Sequence, residues 1–200
     1  HSQGLEINTP IHGLVPFQLW DHQGDVIESL IENRKVIVAT ARQMGMTTLM
    51  LAFAHWYANT YPNKTIFYTS HNQTMLNVGR EFFRQLDFNI PFSYITDQEI
   101  GLQNESRVLF KRFEKGYGTV GYCIDLLLVD NAAFIKDPTE GWDGCVRSLC
   151  NEGFVWINST PHGSDNWFAK VYSGKNMYKK IHLPWFKRKD RDEVWFQDMQ

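Results

Sequence analysis

The sequence has few cysteines, no paired metal ligands and no excess of charge of either sign. Its three cysteines, Cys123, Cys145 and Cys150, show no C-x-x-C spacing. We therefore expect core residues in a reducing compartment, and neither a disulfide framework nor a zinc site. The 7 histidines also lack ligand spacing, which argues against a histidine metal site. A net charge of −2 excludes a basic field over the whole protein, so any nucleic-acid contact must be local.

Long apolar segments are also missing. No apolar run reaches the ~18 residues of a membrane span, and the N-terminus carries no basic-then-apolar secretory signal. This favours an intracellular protein without a membrane partner. The 200 residues, 43% of them hydrophobic, predict one globular domain over residues 1–200. Because the sequence begins with His1 and stops at Gln200 within a helical pattern, we also expect a piece of a longer protein.

Short apolar runs alternate with helical patterns along the chain. Residues 1–19 are expected to be irregular, and Asp21 is expected to cap an amphipathic helix that ends near Arg34. Further helices are predicted in "TTLMLAFAHWYANTY" and over residues 71–86, 140–150 and 165–172. Strands are predicted at "KVIVAT", "KTIFYTS", "IDLLLVDN", "GFVWINST" and "MYKKIHLPW", with a hairpin turning at residues 104–106. This alternation predicts an α/β fold with a mostly parallel sheet and helices on both faces.

The stretch "VATARQMGMTTLM" has the outline of a phosphate-binding loop between a buried strand and a helix. In the pattern G-x-x-x-x-G-K-[ST], backbone N–H groups and the helix N-terminus surround the phosphates. Thr40 stands at the first glycine, Gly45 at the second, Met46 at the lysine and Thr47 at the magnesium ligand. The strand-to-helix setting favours a nucleotide site. An ordinary strand-to-helix turn is the alternative.

Two other strands end in polar residues. Asp130 follows "LLLV", the place where phosphate-loop ATPases hold magnesium, although a capping role at a strand end is the alternative. The next residue is usually Glu but is Asn131, whose amide can orient a water without taking its proton. "WINSTPHG" ends in Asn158, Ser159 and Thr160, which can sense a γ-phosphate or the attacking water, or can simply form a polar strand end before a turn.

These motifs occur in a recognisable order. "WDHQ", "ARQMGMTT", "LLLVDNAAFI", "NSTPHGSDNWFAKVY" and "IHLPW" together resemble the ATPase domain of bacteriophage terminase large subunits, the motors that pump DNA into empty capsids. The resemblance covers about residues 15–190. It implies a P-loop NTPase fold of the RecA/ASCE type, with ATP and Mg²⁺ as cofactors, that drives packaging of viral double-stranded DNA.

The same resemblance implies the setting in which the chain works. We expect a ring homo-oligomer on the procapsid, with the portal protein and a small terminase subunit as partners, in the cytoplasm of an infected bacterial host. A C-terminal nuclease domain follows in that family, so we expect the chain to be a fragment lacking that domain.

The resemblance also assigns nucleotide contacts residue by residue. It implies that Gln23 reads the adenine, where an ordinary surface helix residue is the alternative, and that Arg42 reaches the γ-phosphate. The implied nucleotide-contacting set is Gln23, Thr40, Ala41, Arg42, Gln43, Gly45, Met46, Thr47 and Thr48.

Catalysis and coupling receive their own residues. Thr47 and Asp130 would hold Mg²⁺, and Asp130, Asn131 and Arg42 would carry the chemistry. Ser159 and Thr160 would couple hydrolysis to movement.

Three positions depart from the family pattern. No lysine lies in the loop, Asn131 replaces the catalytic Glu, and Val120 with Gly121 stands where Arg-Gly is common. A charged contact to phosphate contributes ~1.5–3 kcal/mol, so binding is weakened but not forbidden. The departures favour a second hypothesis, a catalytically degenerate terminase-like binding or structural module. A helicase-type ATPase is a third, since "DNAA" is one substitution from D-E-A-A.

The C-terminal part of the sequence is rich in basic and aromatic residues. A DNA backbone contact is one interpretation, but Asp190, Asp192 and Glu193 dilute the positive charge, so we interpret this stretch as a solvated face. Its residues are Lys175, Lys179, Lys180, Trp185, Phe186, Lys187, Arg188, Lys189 and Arg191.

Overall fold

The computed structural model describes residues 6–9, 13–86, 90–113, 121–192, 195 and 197. These described residues form two β-sheets and five α-helices. The strands are β1 (Glu6–Thr9), β2 (Gly13–Pro16), β3 (Lys35–Thr40), β4 (Thr65–Thr69), β5 (Phe92–Ile95), β6 (Glu99–Leu102), β7 (Arg107–Phe110), β8 (Ile124–Val129), β9 (Leu149–Ser159) and β10 (Lys179–Leu183). The helices are α1 (Asp21–Asn33), α2 (Met46–Thr60), α3 (Gln73–Arg84), α4 (Thr139–Arg147) and α5 (Trp167–Ser173), with 3-10 helices at Ala132–Phe134 and Trp185–Lys187.

The larger sheet has eight strands in the order β10-β3-β9-β8-β4-β7-β6-β5. The six strands from β10 to β7 run parallel, and β6 and β5 extend the sheet as antiparallel strands. The predicted mostly parallel α/β sheet is therefore confirmed, as is the hairpin between β6 and β7. Parallel strands run in the same direction because a crossover connection leads from the end of one to the start of the next. The carboxyl ends of β3, β8 and β9 therefore lie together at one edge of the sheet.

Side chains of the central strands alternate between two apolar clusters, one on each face of the sheet. In β3, Val36 and Val38 face one cluster, whereas Ile37 and Ala39 face the other. Strands buried on both faces read as continuous apolar runs, which is the pattern of "KVIVAT" and "LLLV". Helices cover both faces, as predicted; they contribute Leu30, Phe53 and Phe83 to the first cluster and Cys145 and Phe168 to the second.

Three boundaries differ from the expectation. Residues 6–9 and 13–16 form an antiparallel hairpin, so the predicted irregular segment is wrong there. Trp20 is the N-cap of α1, and Asp21 is its first helical residue, so Asp21 is not the cap. The helix ends at Asn33, next to the predicted end, and Arg34 is its C-cap in the left-handed conformation with φ 59°. The helix predicted over 140–150 stops at Arg147, because β9 already begins at Leu149.

The early start of β9 also overturns the expectation for two cysteines. Cys123 directly precedes β8 and Cys150 lies in β9, the strand paired with it, so their Cα atoms are 5.4 Å apart and they form a disulfide. These residues are therefore not free core cysteines, and the expected absence of a disulfide is wrong for this pair. Cys145 is buried in the core, as expected.

In the described part of the chain, no helix is long and apolar enough to cross a membrane.

Candidate functional site

A cavity of 470 Å³ opens at the edge of the sheet where β3, β8 and β9 end. Open parallel sheets bind their ligands at this edge. Most of the predicted site residues come together here. The lining residues are Thr40, Ala41, Arg42, Gln43, Gly45, Met46, Thr47, Thr48, His71, Asp130, Asn131, Phe134, Asn158 and Thr160.

The loop of residues 41–45, which we call the phosphate loop, turns sharply from β3 into α2. Gln43 and Gly45 both adopt positive φ, of 59° and 72°. The positive φ favours glycine here, and a Cβ on Gly45 would lie 2.6 Å from Nε2 of Gln23 and displace that amide. Gly45 is the N-cap of α2, and the N-terminus of this helix presents unpaired N–H groups and a positive dipole end to the cavity.

Asp130 accepts hydrogen bonds from four donors. Oδ2 accepts from the hydroxyls of Thr47 at 2.6 Å and Tyr68 at 3.0 Å. Oδ1 accepts from the backbone N–H of Asn131 at 2.9 Å and from Nδ2 of Asn158 at 3.1 Å. The carboxylate is 1% exposed. Burial, and next the neighbouring carboxylate, raise the pKa of Tyr68 well above its usual value, so the phenol remains a donor.

The pair formed by Thr47 and Asp130 suits a magnesium ion. A hydroxyl and a carboxylate are hard oxygen ligands of the kind that Mg²⁺ accepts, and Mg²⁺ usually takes one or two protein ligands and completes its shell with water and phosphate. Within the described residues, no group of three or more His, Cys, Asp or Glu side chains offers an all-protein cage. The residues present therefore fit a magnesium ion that arrives with a phosphate ligand.

Asn131 follows Asp130 in the left-handed conformation, with φ 54°, which asparagine tolerates better than most residues. Its Nδ2 donates to Oγ of Ser70 at 3.5 Å. Ser70 in turn lies 3.5 Å from Nδ1 of His71, and Nδ2 of Asn72 donates to Nε2 of that ring at 2.8 Å. This chain of side chains holds the Asn131 amide beside the cavity that it lines.

Gln23 does not line the cavity but braces the phosphate loop from α1. Its Nε2 donates to the carbonyl oxygens of Met44 at 3.4 Å and Gly45 at 3.5 Å, while Oε1 accepts from the N–H of Trp20 at 3.1 Å. Nε2 of His22 donates to the same Met44 carbonyl at 3.2 Å. Gln23 is 3% exposed, so the surface-residue alternative is wrong. Its role with adenine stays a prediction.

Two other predicted residues have their side chains in the core. Met46 is 4% exposed and, although it borders the cavity, belongs to the apolar cluster that includes other residues of α1 and α2. Ser159 is fully buried, where Oγ accepts from the N–H of Ala133 at 3.0 Å and donates to the carbonyl of Thr160 at 3.0 Å. Thr160 reaches the cavity itself. Val120 lies outside the described residues.

Two arginines after β10 also hold the phosphate loop, and the sequence did not predict this. Arg191 is 6% exposed and donates to the carbonyls of Arg42 at 2.9 Å and Gln43 at 3.2 Å. Arg188 donates to the Gln43 carbonyl at 2.6 Å. The interpretation of this basic stretch as a solvated face is therefore wrong for these two arginines. Burial, and next the nearby charge of Arg188, lower the pKa of Arg191.

Comparisons with known proteins fit this geometry. The family model for the N-terminal part of the T4likevirus-type terminase large subunit matches residues 37–195. The large terminase of the thermophilic bacteriophage D6E superposes with a TM-score of 0.68 over 92% of this chain, at 12% identity. Its complex with ATP-γ-S gives a TM-score of 0.67, also at 12% identity over 92% of this chain. The chain spans 50% and 49% of these two D6E chains.

The isolated ATPase domain of the Thermus phage P74-26 large terminase is matched over more of its own length. It superposes with a TM-score of 0.65, at 14% identity, covering 91% of this chain and 87% of that domain. At such identities the likeness concerns the fold. No curated protein matches the sequence.

Proposed function

We propose, from the premise that this chain belongs to the T4likevirus-type terminase large subunit family, that it binds and hydrolyses ATP to drive packaging of viral double-stranded DNA into procapsids. The observation that carries the proposal is the 2.6 Å hydrogen bond between Thr47 and Asp130. Two residues separated by 83 positions meet at the phosphate loop, in the cavity where a parallel sheet takes its ligand. The ADP and ATP-γ-S complexes of the D6E terminase support the nucleotide class.

The phosphates would lie against the phosphate loop and the N-terminus of α2, where backbone N–H groups and the helix dipole favour anions. The guanidinium of Arg42, whose exposed side chain lines the cavity, would contact the γ-phosphate and stabilise the charge that develops on it. Thr47 and Asp130 would hold Mg²⁺, which when bound neutralises phosphate charge and orients the β- and γ-phosphates.

Asn131 would position the nucleophile. Its amide nitrogen already donates to Ser70, and its amide oxygen would accept a hydrogen bond from the attacking water. The water oxygen then bonds to the γ-phosphorus as the bond to the β,γ-bridging oxygen breaks. Because an amide cannot take the proton, that proton must leave to solvent or phosphate, and we expect turnover ~10²–10⁴-fold below that of a glutamate enzyme.

A second candidate function is a terminase-like module that binds nucleotide or DNA without turnover. The observation that favours it is the core packing of Met46, which leaves the lysine position of the phosphate loop without a cation. Family membership favours both of these candidates, the packaging motor and the binding module, over a helicase.

The wider setting belongs to the same proposal. Double-stranded DNA would be the substrate polymer, and the portal protein and small terminase subunit would be the partners. A ring of copies would act on the procapsid in the cytoplasm of the infected bacterium. The support for this setting is family membership.

Calorimetric ATP titration with and without Mg²⁺, together with steady-state phosphate release, tests the proposal. We expect Mg²⁺ to tighten ATP binding and hydrolysis to be slow but measurable. Asn131→Glu supplies a base and is expected to raise turnover by about 10²–10⁴-fold. Asn77→Glu, at an exposed position on α3, is the matched control and is expected to change nothing.

The two candidate functions give opposite results in this assay. If Mg²⁺ brings no gain in affinity, and phosphate release stays at background in both the natural protein and Asn131→Glu, the motor proposal fails in favour of the binding module. Met46→Lys, with Met46→Leu as its packing control, then shows whether restoring the loop cation restores ATP binding. A thermal melt of each variant separates loss of binding from loss of fold.

A further inference from the structure

We propose that Arg191 is a positioning residue for the phosphate loop, holding its backbone in the phosphate-binding conformation and placing a buried positive charge behind it. The inference deepens the proposed function and rests on it. It concerns a residue that lies 147 to 149 positions beyond the loop residues it contacts and belongs to no nucleotide-binding motif.

The guanidinium of Arg191 meets the phosphate loop with several bonds at once. Nη1 donates to the Arg42 carbonyl at 2.9 Å, and Nη2 donates to the carbonyl of Gln43 at 3.2 Å and to its Oε1 at 3.1 Å. Arginine suits this task because its planar fork presents several donors in a fixed geometry. The side chain is 6% exposed, and an arginine is rarely so buried unless it is paired.

The peptide geometry shows what these bonds accomplish. A trans peptide unit is planar, and its C=O and N–H point in opposite directions. When Arg191 holds the carbonyls of Arg42 and Gln43, it therefore turns the N–H groups of Gln43 and Met44 away from itself. Gln43 needs this support, since its φ of 59° is uncommon for a residue other than glycine.

Contacts of neighbouring side chains hold residues 188–191 against the phosphate loop. Arg188 donates to the Gln43 carbonyl at 2.6 Å and lies 4.4 Å from the ring centroid of Trp20, the N-cap of α1. Asp190 pairs with Arg188 at 2.6 Å, which keeps that guanidinium in place. The loop is thus contacted both by α1 and by residues 188–191.

The charge of Arg191 has a further consequence, because no lysine stands in the phosphate loop. A cation in a poorly solvated position interacts with a phosphate more strongly than one in water. Each carbonyl bonded to a guanidinium is also polarised, which strengthens the N–H of the same peptide as a donor. Arg191 therefore replaces part of the missing lysine's contribution without reaching the substrate.

A simpler role is packing alone, in which Arg191 only holds Trp195 in place by stacking on its ring, 4.2 Å from the ring centroid. The two roles predict different losses of nucleotide affinity when Arg191 is replaced. If Arg191 positions the loop, the loss is larger for a nucleotide with more phosphates against the loop. If Arg191 only packs, all nucleotides lose affinity equally or none does.

The test compares the natural protein with Arg191→Met and Arg191→Lys, using competition of ATP and AMP against a fluorescent ATP analogue. Arg191→Met is expected to weaken ATP binding by about 10- to 100-fold, the value of one or two charge-assisted hydrogen bonds, and to affect AMP less. Arg191→Lys keeps the charge without the fork, so we expect partial recovery. Hydrogen exchange of the peptide covering residues 41–48 is expected to accelerate in Arg191→Met.

Arg34→Met is the matched control. Arg34 also bonds a backbone carbonyl, a carboxylate and an aromatic face, those of Glu152 and Phe154, at the other end of the sheet. We expect it to leave ATP binding and loop exchange unchanged.

The outcomes separate the two proposals. Unchanged ATP affinity in Arg191→Met, or an equal loss for ATP and AMP, overturns the positioning role. If the natural protein binds no ATP at all, the proposed function fails, and loop exchange alone decides on Arg191. If hydrogen exchange of the loop then stays at the natural rate in Arg191→Met, the inference is overturned. If it accelerates, the result supports the part of the inference that concerns the loop conformation.

Discussion

Two carboxylates at opposite ends of β8 are stabilised in different ways. Asp125, near the start of the strand, accepts from Nζ of Lys64 at 2.9 Å and from the backbone N–H of Thr65 at 2.9 Å. Asp130, just past its end, accepts from three neutral side chains and one backbone N–H. Within the described residues it forms no ion pair, although it is the more deeply buried of the two.

We propose from this difference that Asp125 is structural and that Asp130 belongs to the proposed nucleotide site. A buried charge without a counter-ion costs several kcal/mol. Hydrogen bonds stabilise Asp130 but leave its charge unbalanced, whereas Lys64 balances that of Asp125 and has a raised pKa because of their hydrogen bond. We propose that Asp130, which has no ion-pair partner among the described residues, is the carboxylate that a magnesium ion arriving with the nucleotide would contact.

Replacing each carboxylate by its amide tests most directly whether Asp125 and Asp130 have different roles. Asp130→Asn is expected to lower Mg²⁺-dependent ATP hydrolysis by about 100-fold or more, because the amide cannot balance the charge of a magnesium ion. The same variant should keep or gain stability, since it removes an unbalanced buried charge. Asp125→Asn is the matched control, expected to lose stability and keep turnover.

Phosphate release and urea unfolding measure both effects. A normal rate in Asp130→Asn, or a severe loss of turnover in a folded Asp125→Asn, contradicts the assignment.

A smaller effect distinguishes two threonines near Asp130. Thr47 donates to that carboxylate, whereas the buried Oγ1 of Thr69 has no hydrogen-bond partner among the described residues. Thr47→Val is expected to weaken Mg²⁺-dependent ATP binding by about tenfold, as one lost charge-assisted hydrogen bond would. Thr47→Ser should restore most of it, because the hydroxyl is the group that acts.

Thr69→Val makes the same substitution at a buried threonine that does not bond Asp130 through its hydroxyl, and it serves as the control because it should not weaken binding. Calorimetric titration of ATP at several Mg²⁺ concentrations checks all three variants. Equal losses in Thr47→Val and Thr69→Val would mean that packing, and not the hydroxyl of Thr47, sets the affinity.

Much of the fold could be predicted because buried parallel strands have a distinctive composition. "KVIVAT" and "LLLV" have unbroken apolar cores, and the structure places each strand between two parallel neighbours in the sheet. The start of β9 was missed because "SLCNEG" carries no strong strand signal, and pairing with β8 decides its conformation. That one boundary also hid the disulfide, since Cys123 and Cys150 become neighbours only through strand pairing.

The site was predictable where it follows strand ends and not where it depends on distant contacts. The meeting of Thr47 and Asp130 could be predicted because parallel strands bring their carboxyl ends together, and the roles of both residues stay predictions. Arg191 was missed because its partners are backbone carbonyls, which no side-chain motif can indicate. The resemblance gave Gln23 a role with adenine that stays a prediction, and its contacts with the phosphate loop depend on the packing of α1, which sequence spacing does not indicate.

The smallest expected effect concerns the structural end of β8. Lys64→Met leaves Asp125 with its backbone donor but without its cation, at an estimated cost of about 1–2 kcal/mol, between the values for exposed and buried pairs. Lys64 has a raised pKa in the folded state, chiefly because of its hydrogen bond to Asp125. Its contribution is therefore complete below the unfolded-state pKa of about 10.4 and is lost as the pH rises through the folded value.

Urea unfolding of the natural protein and Lys64→Met between pH 7 and pH 11 measures this contribution. The difference in unfolding free energy should be constant up to about pH 10 and narrow above it, because only then does Lys64 lose its proton. Lys170→Met, which removes an exposed pair with Asp165, should show no such difference. A gap between the natural protein and Lys64→Met that persists unchanged to pH 11 would mean that the lysine stabilises this end through the packing of its stem, and that the two carboxylates differ less than their contacts indicate.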